Sequence, residues 1–407
     1  MPAALALALN SPTLKPMPTP PLAAELPWVD KQRALRALGL LVPALACLSL
    51  AAYAGTGAWW WCWLAPLLTF IVVPVLDRWI GADHSNPPEA AVPALNGDRY
   101  YERLVVALVP LQLVATVGGA WIVVALQPDW PAWLGLLLTV GGVNGFGIVS
   151  AHEMGHKKGR IWRSLAQAGL APSAYGHFYV EHNRGHHHNV ATPCDPASSR
   201  MGQSFWRFLP RTIVGSVRSA WRLERSRLAR LGRGPWSLAN QNLQGWSMTL
   251  LLFGGLVAWL GTAALVFLLL QAVYAASLLE VVNYLEHYGL LRPADSQGRP
   301  VRCGPEHSWN SNHVVSNLLL YQLQRHSDHH AHAARSYQAL RHFDTSPQLP
   351  SGYASMLLLA YVPWLWFAVM DPLVVRHCGG DLDRANVEPA ARQRLYRLYH
   401  RPPAAAP

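Results

Sequence analysis

From about residue 37 to residue 75 the chain contains no Asp, Glu, Lys or Arg. Gly55-Thr56-Gly57 breaks this stretch into two apolar runs, about 37–54 and 58–75. Each is close to the ~20 residues that a helix needs to cross a bilayer. The two read as a membrane hairpin, and no other feature narrows the choice of fold as much. Comparable runs follow at about 104–126 and 132–150, joined at the turn Pro128-Asp129-Trp130-Pro131. Gly141, Gly142, Gly145 and Gly147 in the second of these predict close helix–helix approach. Gly245 to Ala276 is mostly apolar but too long for one crossing, so it reads as two spans, about 245–260 and 262–284, turning near Gly261. The expected fold is an all-α integral membrane protein with six transmembrane helices.

Charge sets the expected orientation. The tips at 55–57, 127–131 and around Gly261 carry no Lys or Arg, whereas the N-terminal segment, the loop after the second span and the segments flanking the later spans carry many. By the positive-inside rule, both termini and the polar segments face the cytoplasm. The same placement explains the net charge of +11 without a nucleic-acid partner, and 51% hydrophobic against 14% charged residues excludes an ordinary soluble domain. Pro16, Pro18, Pro20 and Pro21 make residues 1–30 an expected disordered tail. One membrane domain is expected over 31–380, with a C-terminal tail at 381–407. Residues 353–370 are hydrophobic but contain Pro363. A seventh span there would export Arg392, Arg394 and Arg397, so a surface-lying or half-buried helix is expected. The five cysteines form no CxxC pair and suggest neither a disulfide framework nor a thiolate metal site.

Eighteen histidines are the anomaly of the composition. His152-Glu153-Met154-Gly155-His156 closes the fourth expected span, and residues four apart share a helix face. Alone, this HExxH spacing would suggest a zinc protease with Glu153 as its base. Glu181-His182-Asn183-Arg184-Gly185-His186-His187-His188 repeats the pair and adds a neighbour, and His326-Ser327-Asp328-His329-His330 uses spacings of three and four. His287, in Leu285-Glu286-His287-Tyr288-Gly289, ends the sixth span. Three such clusters near membrane boundaries point to metal binding, and eight or nine imidazoles exceed the coordination positions of one ion. Two metals are implied. Imidazole suits Zn, Cu, Fe and Ni alike, so ligand type does not choose among them.

The stretches HEMGHKK (152–158), YGHFYVEHNRGHHHNVATPCDPASSRMG (175–202), LEHYGLLR (285–292) and HSWNSNHVVSNLLLYQLQRHSDHHAHAARSYQALR (307–341) resemble the integral-membrane alkane 1-monooxygenases. The resemblance runs from about Asn86-Pro87-Pro88 to Gly380-Asp381. It implies a cytoplasmic histidine-rich cap holding two non-haem irons, O2 activation, and oxidation of a terminal methyl to a primary alcohol in the bacterial inner membrane. Carried over by position, the iron ligands are His152, His156, His182, His186, His187, His287, His326, His329 and His330. His188 has no ligand role in that match, and His177, His307, His313, His332 and His342 are expected in supporting or surface positions. Glu153, Glu286 and Asp328, with Glu181 and Asp195, are candidates to orient ligand N–H groups or relay protons. Glu280 is more doubtful in that role, with a place facing the bundle interior as the alternative.

Trp59-Trp60-Trp61 and Trp63 read as an interfacial aromatic belt. In the family, the helix they open lines the substrate channel, where a small Thr69 would leave room for medium- to long-chain n-alkanes. The chain shows no flavin or nicotinamide fingerprint, so electrons must come from outside. The resemblance implies rubredoxin, reduced by an NAD(P)H-dependent rubredoxin reductase. Nine arginines and one acid, Glu224, lie between Arg200 and Arg233. Arg207, Arg211, Arg218, Arg222 and Arg225 recur at helical spacing and predict a basic stripe. It would rest on anionic membrane lipids or dock acidic rubredoxin through Arg218 and Arg222. Two alternatives are a membrane fatty-acyl desaturase or hydroxylase of the same superfamily and a non-catalytic metal-binding or transport protein. The transporter would need polar ligands inside its spans.

Overall fold

The computed structural model describes residues 28–399. Most of the expected N-terminal tail (1–27) and the last eight residues of the C-terminal one (400–407) lie outside the described residues. Among the described residues, six helices are long and apolar enough to cross a membrane: α1 (Ala34–Thr56), α2 (Trp59–Ile80), α3 (Arg99–Ala125), α4 (Trp130–Gly155), α7 (Gln241–Leu260) and α8 (Ala263–His287). Between α4 and α7 come α5 (Arg160–Leu170) and the long amphipathic α6 (Phe205–Arg230). After α8 follow α9 (His326–Ala331), α10 (Tyr353–Ala360), α11 (Pro363–His377) and α12 (Arg392–Tyr399). Among the described residues the only β pairing is isolated bridges. The all-α, six-span expectation holds.

α4 and α8 are the centre of the bundle, and α3 and α5 pack on α4. Small residues permit this. A Cβ on Gly141 would stand 2.8 Å from the Gln271 carbonyl oxygen, and one on Gly147 would collide with the Gln112 side chain. Polar groups then lock the register, since an apolar surround offers them no other partner. The Asn144 amide donates to Thr116 at 2.9 Å and to Gln271 at 2.6 Å, joining α3, α4 and α8. Asp129 caps α4 by accepting from the Ala132 amide.

α2 is not a plain helix. It opens with a 3-10 stretch at Trp59–Trp63 and widens into a π turn at Leu68–Val72. The hydrophobic segment near the C-terminus, expected as a surface-lying or half-buried helix, is two helices, α10 and α11, meeting at 120° around Tyr361-Val362. Tyr353, Met356, Trp366 and Met370 are buried, so the pair is woven into the core and is no straight crossing. Residues 381–399 also pack inward. Val387 bridges to Met201, Ala385 bridges to Leu290, and Leu395 is fully buried. Arg200 reaches Glu388 at 3.4 Å. The folded unit therefore continues past residue 380, the limit expected from sequence.

Glu280, inside α8, explains how the cap is tied to the bundle. Its carboxylate accepts from the Tyr175 hydroxyl at 2.6 Å and from Thr212 of α6 at 2.8 Å. It is a structural knot facing the interior and contacts none of the clustered histidines through these bonds.

Candidate metal centre

The ends of α4 and α8, the helical segment 178–189 and α9 converge just beyond the membrane helices. They bring the nine expected histidines into two adjoining groups. One holds His152, His156, His182, His187 and His329, the other His186, His287, His326 and His330. Within each group one atom per residue lies within 4.8 Å of every other.

The five-membered group has a geometry that direct hydrogen bonding cannot produce. Its Nε2 atoms form a closed ring: His152 to His329 at 2.9 Å, His329 to His187 at 3.0 Å, His187 to His182 at 3.0 Å. His182 to His156 at 3.1 Å and His156 back to His152 at 3.3 Å complete it. A neutral imidazole Nε2 either donates or accepts, never both. A ring with an odd number of members cannot alternate the two, so at least one neighbouring pair must repel. A cation at the centre removes the conflict. Nitrogens ~2.1 Å from an ion and at right angles to one another stand ~3.0 Å apart, which is the spacing found.

Electrostatics prepare the rings for this. Burial, and then the neighbouring imidazoles, hold the pKa values of His156, His182, His187, His326, His329 and His330 well below the usual histidine range. The rings stay neutral and keep a lone pair for a metal. In the second group, His186 Nδ1 lies 2.9 Å from Asp195 Oδ2, which fixes the tautomer. Its Nε2 is buried with no hydrogen-bond partner among the described residues. Burial pushes the Asp195 carboxyl up, but the His186 ring and hydrogen bonds from His186 and Ser198 outweigh this and hold it below its usual range. The donor set fits a bound metal in both groups.

Local backbone decides which histidine joins which group. In α4, His152 and His156 are four apart and share a group, as α-helical geometry dictates. Residues His182–His186 form a π turn instead. With i→i+5 bonding, His182 and His187 share a face while His186 swings to the other group. The apparent i, i+4 pair of 182 and 186 is therefore split. In α9 the helical pair His326 and His330 stays together and His329 crosses over.

The carboxylates divide in the same way. Glu286 Oε2 stands 3.1 Å from His326 Nε2 and Oε1 accepts from the Tyr353 hydroxyl at 2.7 Å. Glu153 accepts from the Tyr337 amide at 3.3 Å. Asp328 turns from the rings: it binds Arg335 at 2.9 Å, His332 at 2.8 Å and the Arg341 amide at 2.9 Å. Neither Glu153 nor Asp328 has a hydrogen bond to the nine rings; Asp195 meets His186 at the ring nitrogen opposite its Nε2, while Glu286 sits on the same His326 Nε2 that lies 2.8 Å from His330 Nε2. Tyr353 was not legible as part of the site, because it lies far along the chain in an apolar helix. His188 is exposed and lends only its carbonyl, to Arg292. His177, His307, His313, His332 and His342 belong to neither group.

An apolar cavity between α2, α4, α8 and α10 is lined by Thr69, Phe70, Gly145, Val149, Leu278 and Leu323, among others. Val149 and Leu323 also line a smaller space beside His152 and His329. Thr69 sits on the π turn of α2, so the widened backbone turn contributes to the cavity wall. The arginine stripe is less uniform than its spacing predicts. Arg211 is turned inward to the Ser198 carbonyl at 2.8 Å, while Arg218, Arg222 and Arg225 are exposed.

The fatty acid desaturase family model matches residues 128–371. Among curated proteins, the alkane 1-monooxygenase of Acinetobacter baylyi is 46% identical over 330 residues, covering 81% of each chain. Alkane 1-monooxygenase 1 of Alcanivorax borkumensis is 44% identical over 366 residues, 90% of this chain and 91% of its own. The xylene/toluene monooxygenase hydroxylase component XylM of Pseudomonas putida is 31% identical over 246 residues, 60% of this chain and 63% of that one.

Proposed function

This chain belongs to the alkane 1-monooxygenase family, and on that footing we propose that it hydroxylates the terminal methyl of medium- to long-chain n-alkanes to 1-alkanols. The observation that carries the reading is the pair of histidine groups at the end of an apolar cavity. Iron is the metal we assign, one ion to the five-histidine group and one to the four. When bound, the irons supply the reductive activation of O2.

The protein's own part is positioning and exclusion. An alkane has no polar group to grip, so only the shape of an apolar channel can align it. The lining offers no charged residue to pair with a carboxylate, which favours a hydrocarbon over a free fatty acid. Val149 and Leu323, shared between the cavity and the space beside His152 and His329, would guide the last carbon toward the histidines while keeping bulk water out. Asp195 holds the proton on His186 Nδ1, and the Tyr353 hydroxyl donates to Glu286 beside the second group.

Alkane and O2, with two electrons and two protons, give alkanol and water. Rubredoxin, recharged by an NAD(P)H-dependent reductase, is the donor we assign. The charge asymmetry of the loops supports a cytoplasmic cap in the bacterial inner membrane. The matched desaturase model favours one competing outcome, dehydrogenation of a chain. Purified protein supplied with iron, reduced rubredoxin and n-alkanes of graded length should yield 1-alkanols with an optimum in the medium-to-long range. Alkenes in place of alkanols, or no product with any alkane, would overturn the assignment.

A further inference from the structure

Two open grooves outside the metal centre adjoin one another at Trp246. The first is basic and aromatic, lined by Gly215, Val217, Arg218, Trp221 and Arg222 of α6 together with Trp246 of α7. The second is apolar and runs down the outer faces of α7 and α8 past Trp246, Leu250, Phe253, Gly254, Leu265 and Leu269. Trp246 stacks on Trp221, with centroids 6.1 Å apart and planes 10° from parallel, and Trp236 meets Trp221 at 5.0 Å. Tryptophans gathered at the start of a membrane helix mark the headgroup level. Leu250 is 72% exposed and Leu269 49% exposed, so the apolar groove opens toward the surrounding hydrocarbon.

No acid among the described residues forms a close ion pair with this charge, although the buried Glu181 carboxyl feels Arg222. Glu224, the one acid of α6, is already engaged by Arg184 and Arg227. Arg218 and Arg222 stand exposed above the tryptophans, and among the described residues neither forms an ion pair. A cationic pocket continuous with an apolar groove along membrane helices matches one kind of molecule.

We propose that this paired groove binds an anionic phospholipid, with the phosphate at Arg218 and Arg222 and one acyl chain along α7 and α8. Each basic side chain adds to the attraction for an anionic headgroup, and each buried methylene adds to the retention of the chain. An acidic protein approaching from water would meet the two arginines but would leave the apolar groove below Trp246 empty, which is why the lipid is the better match. The inference does not depend on the reaction assigned above.

The test uses the full-length protein in nanodiscs of phosphatidylcholine mixed with phosphatidylglycerol, followed by detergent extraction and mass spectrometry of the lipid that stays bound. Phosphatidylglycerol should be retained close to stoichiometrically and phosphatidylcholine should not. The double variant R218Q/R222Q should weaken phosphatidylglycerol binding roughly 30-fold, from two lost headgroup contacts. Gly254→Leu provides an independent arm. A Cβ there meets no protein atom within 4 Å, so the side chain fills the groove without disturbing the fold. It should reduce retention while thermal unfolding and metal content stay unchanged. Unaltered phosphatidylglycerol retention in either variant overturns the proposal. So does a raised KM for rubredoxin in R218Q/R222Q with lipid retention intact, which would assign the arginines to an acidic protein.

Discussion

His186 and His188 stand two positions apart in the chain and have opposite fates. The first is buried, with Nδ1 beside Asp195 and a free Nε2 aimed into the four-histidine group; the second is exposed. His186→Ala should lose iron and hydroxylation together, while His188→Ala should keep both, as measured by metal analysis alongside alkanol formation. Asp195→Asn should weaken iron binding about 10- to 100-fold, the usual cost of removing the group that orients a ligand imidazole. Iron retained at full occupancy through chelator titration would contradict that. Three histidine clusters were legible because their spacing is dense and periodic, and the family resemblance supplied the set of nine, lone His287 included. Their partners were not legible to the same degree. Asp195 is one of several acids near the clusters, Asp328 looks better placed by spacing but turns to Arg335, and Tyr353 reaches Glu286 from a helix that reads as plain core.

Secondary-structure elements carry the next layer of information. The π turn at His182–His186 sends His186 to one group and its neighbours 182 and 187 to the other. A helical wheel drawn at 3.6 residues per turn cannot show this, because hydrogen-bond slippage of one residue leaves no mark in composition. α2 has a π turn as well, with Thr69 on the cavity wall. Thr69→Trp should fill that wall and shift the product optimum toward shorter alkanes; an unchanged chain-length profile would remove Thr69 from the channel. Along the contact of α4 with α8, Gly141→Leu would press a side chain on the Gln271 carbonyl. Overpacking of this kind costs about 1–3 kcal/mol, which thermal unfolding in detergent should register as a lower midpoint.

At the scale of the whole molecule, membrane helices and histidine cap are one structure. Glu280 ties α8 to α6 and to Tyr175, and the C-terminal ends of α4 and α8 bring His152, His156 and His287 to the site. Removing the metal leaves nine clustered imidazoles with no centre to share. Chelation should therefore lower the unfolding midpoint reversibly, and iron at a thousand times its Kd should restore about 4 kcal/mol. A midpoint indifferent to iron would mean the groups are held by the fold alone. What the chain determined by itself is the part written in local periodicity: six spans and three histidine clusters at their ends. Those follow from hydrophobic length and helical repeat, which act over neighbouring residues. The tertiary structure decided the two-group partition of the histidines, the carboxylates that serve them, the inward packing of residues 381–399 and the joined grooves at Trp246. Each of these depends on contacts between segments far apart in sequence, where packing and burial, not spacing, select the partner.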